Sequence, residues 1–262
     1  MSTLDISWLS LGVGALLLLI PLIALHVLRT GLVRSLAIAS LRMVVQLFLI
    51  GVYLKYLFVW DLPWLNTLWV LAMTVIATHT LGARTNLPQR LLALPAFVGM
   101  FVTGVVVGLF FLVPILHLSN PFTARYFIPI LGILLGNMLG VNVITLSTFY
   151  SNLSNQQSTY YYLLGNGATR FEALLPFLRD AVIKSFSPCI ANMAVMGIVA
   201  LPGTMIGQIL GGSQPDVAIK YQMMIVIITT SASMLSVIIT LWLTIQKSFD
   251  SYGRLRQSQL KK

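Results

Sequence analysis

The sequence predicts an all-α, polytopic membrane protein, on three observations. Of its 262 residues, 58% are hydrophobic and only 8% are charged, against about 25% charged in an average soluble domain. The apolar residues gather in runs close to the roughly 20 residues that carry a helix across a bilayer. None of these runs alternates in the manner of a membrane barrel, and isolated strands cannot satisfy their backbone in lipid.

Seven spans are expected, at about 8–28, 36–58, 63–81, 91–114, 125–149, 181–201 and 222–245, in one transmembrane domain over 1–262. The first follows Asp5 rather than a basic leader, so it reads as a retained helix. The second carries a polar line. At 100° per residue, Ser35, Arg42, Gln46 and Tyr53 fall within about 20° of one line. Arg42 and Gln46 either line a solute path or pin helices together, or Arg42 snorkels to the interface. The fourth span has Gly104 and Gly108, and the fifth has Gly132, Gly136 and Gly140 at four-residue spacing. That small-residue ridge predicts close helix packing. Pro129 permits a kink there. Asn137 and Asn142 lie beside the ridge as helix-bridging or substrate-contacting amides. In the last span, Thr229, Ser233, Ser236 and Thr240 make a hydroxyl stripe suited to interhelical hydrogen bonds.

Orientation follows the basic residues. Arg29, Arg34, Arg84, Arg90, Arg170, Arg179 and Lys184 fall on one side with Lys247, Arg254, Arg256, Lys261 and Lys262 of the tail. Lys55, Arg125 and Lys220 fall on the other, beside Asp5, Asp61 and Asp216. The N-terminus is therefore expected outside, and segment 150–180 and tail 246–262 in the cytoplasm of a cell with this protein in its inner membrane. The net charge of +10 reads as topology signal and anionic-lipid contact rather than nucleic-acid binding, because the cations sit in short clusters between apolar runs.

Several chemistries are missing. There is no phosphate loop, no HExxH and no paired cysteine, and His26, His79 and His117 are scattered. Cys189, the single cysteine, reads as a small buried apolar residue. No carboxylate lies mid-span, where ion-coupled transporters usually place one. Energy for transport would then come from another chain. Segment 150–180 suits such a partner: Tyr160 to Leu164 make an aromatic patch, Gly165 and Gly167 allow a break, and Thr169 with Glu172 forms a capping box for a helix opening at Arg170. The alternative is an interfacial helix without a partner. At Leu201-Pro202-Gly203 a helix must end or bend. Gly207 and Gln208 follow, as an outer gate or as an ordinary turn between spans.

The run Leu201-Pro202-Gly203 through Gly207-Gln208-Ile209-Leu210 to Tyr221-Gln222, with Arg42…Gln46…Gly51, Ile128-Pro129, Gly136-Asn137 and Leu164-Gly165…Ala168-Thr169-Arg170, resembles the bacterial FetB-type permease family. The resemblance covers about 36–245. It implies the membrane subunit of an ABC transporter, itself not an enzyme and without a cofactor. A separate cytoplasmic ATPase would bind ATP and magnesium, and the permease would pair with a second copy of itself. It also implies export of iron or another metal, with plant relatives acting in aluminium tolerance. The ATPase contact is carried over to Leu164, Gly165, Ala168, Thr169 and Arg170, joined by Glu172 of the capping box. The acidic and alanine positions usual upstream are Gln156, Gln157 and Tyr160 to Tyr162 here. The expected path or gate comprises Arg42, Gln46, Asn137, Pro202, Gly203, Gly207 and Gln208. No metal ligand is carried over, although Met193, Met196 and Met205 are soft donors. The alternatives are an ATPase-independent channel or secondary transporter, and a non-transporting anchor.

Overall fold

The computed structural model describes residues 7–85, 87–250 and 254. Asp5 and most of the tail, on which part of the orientation reading rests, lie outside the described residues. Nine helices are present among them. They are α1 (Trp8–Val27), α2 (Val33–Trp60), α3 (Pro63–Thr85), α4 (Gln89–Ile115), α5 (Ala124–Asn155), α6 (Gln157–Gly165), α7 (Arg170–Val195), α8 (Gly203–Leu210) and α9 (Pro215–Ser248). A short 3₁₀ turn at Leu16–Leu18 lies within α1, and a π-helical turn at Phe111–Ile115 closes α4 around Pro114. The all-α, polytopic class expected from composition is the one observed.

Six helices, α1 to α5 and α9, are long and apolar enough to cross a membrane. The expected span at 181–201 takes a different form. Residues 170–195 make one unbroken helix that runs through the anticipated boundary near 180 and stops at Val195. Arg170, Glu172, Arg179, Asp180 and Lys184 make α7 more polar than the six. The break foreseen at Leu201-Pro202-Gly203 comes earlier: Gly197 has φ +83°, and Met196 bridges Ala200 before Pro202 caps α8.

Helices α3, α4, α5, α7 and α9 pack as the bundle. Its core includes Leu81, Leu92, Met100, Leu134, Met138, Leu146, Phe149 and Phe177. Two devices bring the backbones close. A methyl group placed on Gly108 would lie 2.8 Å from Leu131 Cδ2, so the glycines of α4 form a notch for the large residues of α5. One placed on Gly99 would overlap Thr240 Oγ1 and sit 3.2 Å from the Ser236 backbone oxygen, so α4 and α9 also meet nearly backbone to backbone. Asn142 then joins α5 to the hydroxyl stripe of α9, donating to Ser236 Oγ at 2.9 Å and to its own helix at Met138 O, 2.8 Å. In an interior without water such an amide must find partners.

Helices α1 and α2 stand apart from this bundle. None of the most apolar stretch of either is buried, whereas half of that in α4 and α5 is. The arm attaches through Leu57, Tyr53 and Leu54, which meet Trp69, Ala124 and Ile128; the Tyr53 and Trp69 ring centroids are 4.4 Å apart. Asp61 caps α2 at φ 40° and uses one carboxylate oxygen twice, accepting from Ala124 N at 2.6 Å and Asn66 Nδ2 at 3.2 Å. That left-handed angle is one Asp tolerates better than most side chains.

The antiparallel helix order sorts the chain between two ends of the bundle. One end holds the 28–32 link, the 85–89 link, α6, the start of α7 and the end of α9. It carries Arg29, Arg34, Arg84, Arg90, Arg170, Arg179 and Lys247. The other end holds Asp61, the 116–123 turn, the end of α7 and all of α8.

Candidate functional site

Toward the α8 end, α5, α7, α8 and α9 border a half-open cavity of about 230 Å³ whose lining includes Asn137, Cys189, Asn192, Met193, Met196, Thr204, Gln222 and Thr230, with no charged side chain. Its sulfurs come from a single face of one segment. Residues 189, 193 and 196 are four and three apart, which at 100° per residue holds them within about 60°. Cys189 is half-buried and packs against the hydrophobic core, as a small apolar residue would. Met193 Sδ accepts from Thr230 Oγ1 at 3.7 Å, which fixes the thioether against α9. Thr204 of α8 donates to the Gln222 side-chain oxygen of α9.

A second cavity of about 580 Å³ adjoins it and shares Ile133, Thr204 and Ile225. It is lined in addition by Arg125, Tyr126, Gly207, Gln208 and Tyr221. The Thr204–Gln222 pair therefore stands where the two cavities meet. Its position is set by Pro202, whose fixed φ and extended ψ of 139° launch α8. Gly203 opens that helix with open space around its Cα.

The residues anticipated for a path are divided by the fold. Asn137 faces the first cavity, and Gly207 and Gln208 face the second. Gln46, Gly132 and Gly136 line a separate, mostly apolar groove of about 610 Å³ between α2, α3 and α5. Arg42 lies on the exposed length of α2. Among the described residues no helix seats on Gly136 or Gly140, since a methyl group on either would meet nothing within 4 Å; Gly132 has Met73 Cε at 3.3 Å. Met205 is outside both cavities. Reading Met193 and Met196 by residue type misses Cys189, Asn192 and Gln222, although the 189–193–196 spacing was available.

At the other end, α6 and α7 form an elbow. Gly167, at φ +90°, turns the chain after α6. Ala168 N reaches Leu163 O and Gly167 N reaches Leu164 O, each at 3.1 Å, the paired closure of a Schellman motif. Thr169 caps α7: its hydroxyl accepts from Glu172 N at 3.3 Å, and Glu172 Oε2 accepts from Thr169 N at 2.7 Å. The Thr169 hydroxyl also donates to Glu172 Oε2 at 2.7 Å, and this bond, with that from Thr169 N, holds the Glu172 carboxyl below the usual glutamate range. Arg170 donates to Ile245 O at 2.7 Å, and its guanidinium lies 4.5 Å over the Phe249 ring. Tyr160 is buried against Phe249, which raises its phenol pKa, while Tyr162 and Phe171 project outward, 70% and 66% exposed. Only part of the anticipated aromatic patch is therefore free surface.

Fold and cavities together define a polytopic helical membrane protein with an open, uncharged chamber between α5, α7, α8 and α9. The chain belongs to UPF0014, described as an uncharacterised protein family, whose model matches residues 8–249. It is 30% identical over 256 residues to the UPF0014 membrane protein YjkA of Bacillus subtilis, covering 96% of this chain and 99% of that one. It is also 30% identical over 258 residues to the probable iron export permease protein FetB of Escherichia coli, covering 97% and 96%. To the protein ALUMINUM SENSITIVE 3 of Arabidopsis thaliana it is 31% identical over 210 residues, 77% and 72%. No solved structure matches.

Proposed function

We propose that this chain is the membrane-spanning permease subunit of an ABC transporter that exports a metal cation, iron or a softer one, powered by a cytoplasmic ATPase docked on the α6–α7 elbow. One observation carries the reading: a single helix, α7, holds the exposed elbow at one end and the sulfur-lined face of the chamber at the other. Thioether and thiol sulfur with amide oxygen is a donor set that binds transition metals without a fixed carboxylate. The name carried by the Escherichia coli relative supports the same direction of transport.

In this scheme Leu164, Gly165, Ala168, Thr169, Arg170 and Glu172 form the ATPase contact, with Tyr162 and Phe171 as its apolar anchors. ATP and magnesium belong to that partner. Asn137, Gln208 and the Thr204–Gln222 pair line the path, with Pro202, Gly203 and Gly207 shaping the gate. Two copies would bury the open Gly136–Gly140 ridge and the Arg42–Gln46 line together. The N-terminus lies outside and the elbow in the cytoplasm.

The test is co-expression with an ABC ATPase encoded beside this chain, followed by purification and reconstitution with a panel of metals. Gly165 has open space around it, so Gly165→Arg should fold, yet fail to co-purify with the ATPase. Cys189→Ser combined with Met193→Leu should keep the complex and lose metal-stimulated hydrolysis. Normal co-purification of Gly165→Arg, or uphill transport by this chain alone, overturns the proposal.

A further inference from the structure

At the elbow end, outside both cavities, α3, α5 and α7 surround a basin of about 490 Å³. Two cations reach it, Arg84 from the last turn of α3 and Lys184 from the middle of α7. Between them it is lined by the hydroxyls of Thr148, Ser151 and Ser154 and the amide of Asn152. No carboxylate is among the lining residues. Neither cation is ion-paired among the described residues, where the one salt bridge is Lys220–Asp216 at the opposite end. Asp180, one turn before Lys184 on α7, is not within ion-pair distance of it.

The charge on Arg84 has a local use, since it offsets the carbonyl end of its own helix. Lys184 serves no helix terminus. It is exposed to an open basin with no carboxylate among the lining residues, beside a second cation and four hydrogen-bonding side chains, so the basin presents positive charge with no counter-charge. The missing component is an anion that accepts several hydrogen bonds at once, and phosphate oxygens accept from ammonium, guanidinium and hydroxyl together. The last turn of α3 and the last two turns of α5 border the basin, which places it at the edge of the spanning segments, where headgroups lie.

We infer that this basin binds an anionic phosphate group, with Arg84 and Lys184 as the charged contacts and Thr148, Ser151, Asn152 and Ser154 as hydrogen-bonding partners. The phosphate is either that of an anionic phospholipid or free in solution. The site lies apart from the chamber and does not depend on the transport reading.

The experiment uses the full chain, the double variant Arg84→Gln/Lys184→Gln, and Arg179→Gln as an exposed cation outside the basin. One arm measures, by native mass spectrometry, retention of phosphatidylglycerol over phosphatidylcholine after extraction from vesicles of equal mixture. The other follows the Tm in detergent with added inorganic phosphate. Wild type and Arg179→Gln should bind in at least one arm, and the double variant should bind roughly tenfold or more weakly there. Binding in the first arm alone assigns the phosphate to a lipid, and binding in the second alone assigns it to solution; both support the site. The inference fails if neither arm shows binding, if the double variant binds as wild type, or if Arg179→Gln weakens binding as much.

Discussion

The α1–α2 arm and the five-helix bundle are both strongly apolar, but they use that character in opposite ways. The bundle buries its apolar faces in itself and adds polar fasteners, such as Asn142 to Ser236 across α5 and α9. The arm buries almost nothing and joins the bundle at one end, through Leu57, the Tyr53–Trp69 pair and the doubly used carboxylate of Asp61. Apolar composition places both in lipid, but small residues and hydrogen-bonding side chains decide which helices hold one another.

Glycine substitution tests this contrast most severely. Gly99→Leu drives a side chain into Thr240 and the Ser236 backbone, and should cost about 3 kcal/mol or leave no monodisperse protein after extraction. Gly14→Leu and Gly51→Leu, with nothing within 4 Å, should leave Tm and elution unchanged. Equal damage at Gly51 would show that α2 is covered by another chain.

The joint between the two regions gives an intermediate effect. Asp61→Ala removes the acceptor of two hydrogen bonds and puts a side chain ill-suited to φ 40° at the cap. A loss of about 1–3 kcal/mol is expected in thermal unfolding, with Asp61→Asn retaining most of the stability. If Asp61→Ala unfolded like wild type, the arm would be held by its apolar contacts alone.

The smallest effect belongs to the elbow. The folded-state pKa of Glu172 lies below the ordinary 4.5. Its contribution is therefore complete above that value and lost as pH falls through the lower folded one. Between about pH 5 and about pH 3, Tm should fall slightly more for wild type than for Glu172→Gln; identical slopes would show that the capping carboxylate does not stabilise α7.

Much of this architecture is legible in the residues. Length and hydropathy locate α1 to α5 and α9, because lipid demands long unbroken apolar helices. The Thr169–Glu172 box is legible because both partners lie within one turn. Helix α7 is not, since Arg179, Asp180 and Lys184 look like a boundary between a soluble segment and a span, while the backbone passes through them as one helix. Gly99 escapes notice because it has no glycine four residues away, and its neighbour Thr240 lies on a distant helix. The chamber escapes for the same reason: Asn137, Cys189 and Gln222 come from three helices, and only their packing brings them together.

The anchorage of Arg170 on the end of α9 has a mechanical consequence. Because its guanidinium grips the Ile245 carbonyl and lies over Phe249, the corner between α6 and α7 cannot shift without dragging α9 along. From Ile245 to Gln222 that helix extends about 35 Å as a stiff rod. A nudge at its base would arrive at the Thr204–Gln222 hydrogen bond as a tilt instead of dissipating in a loop.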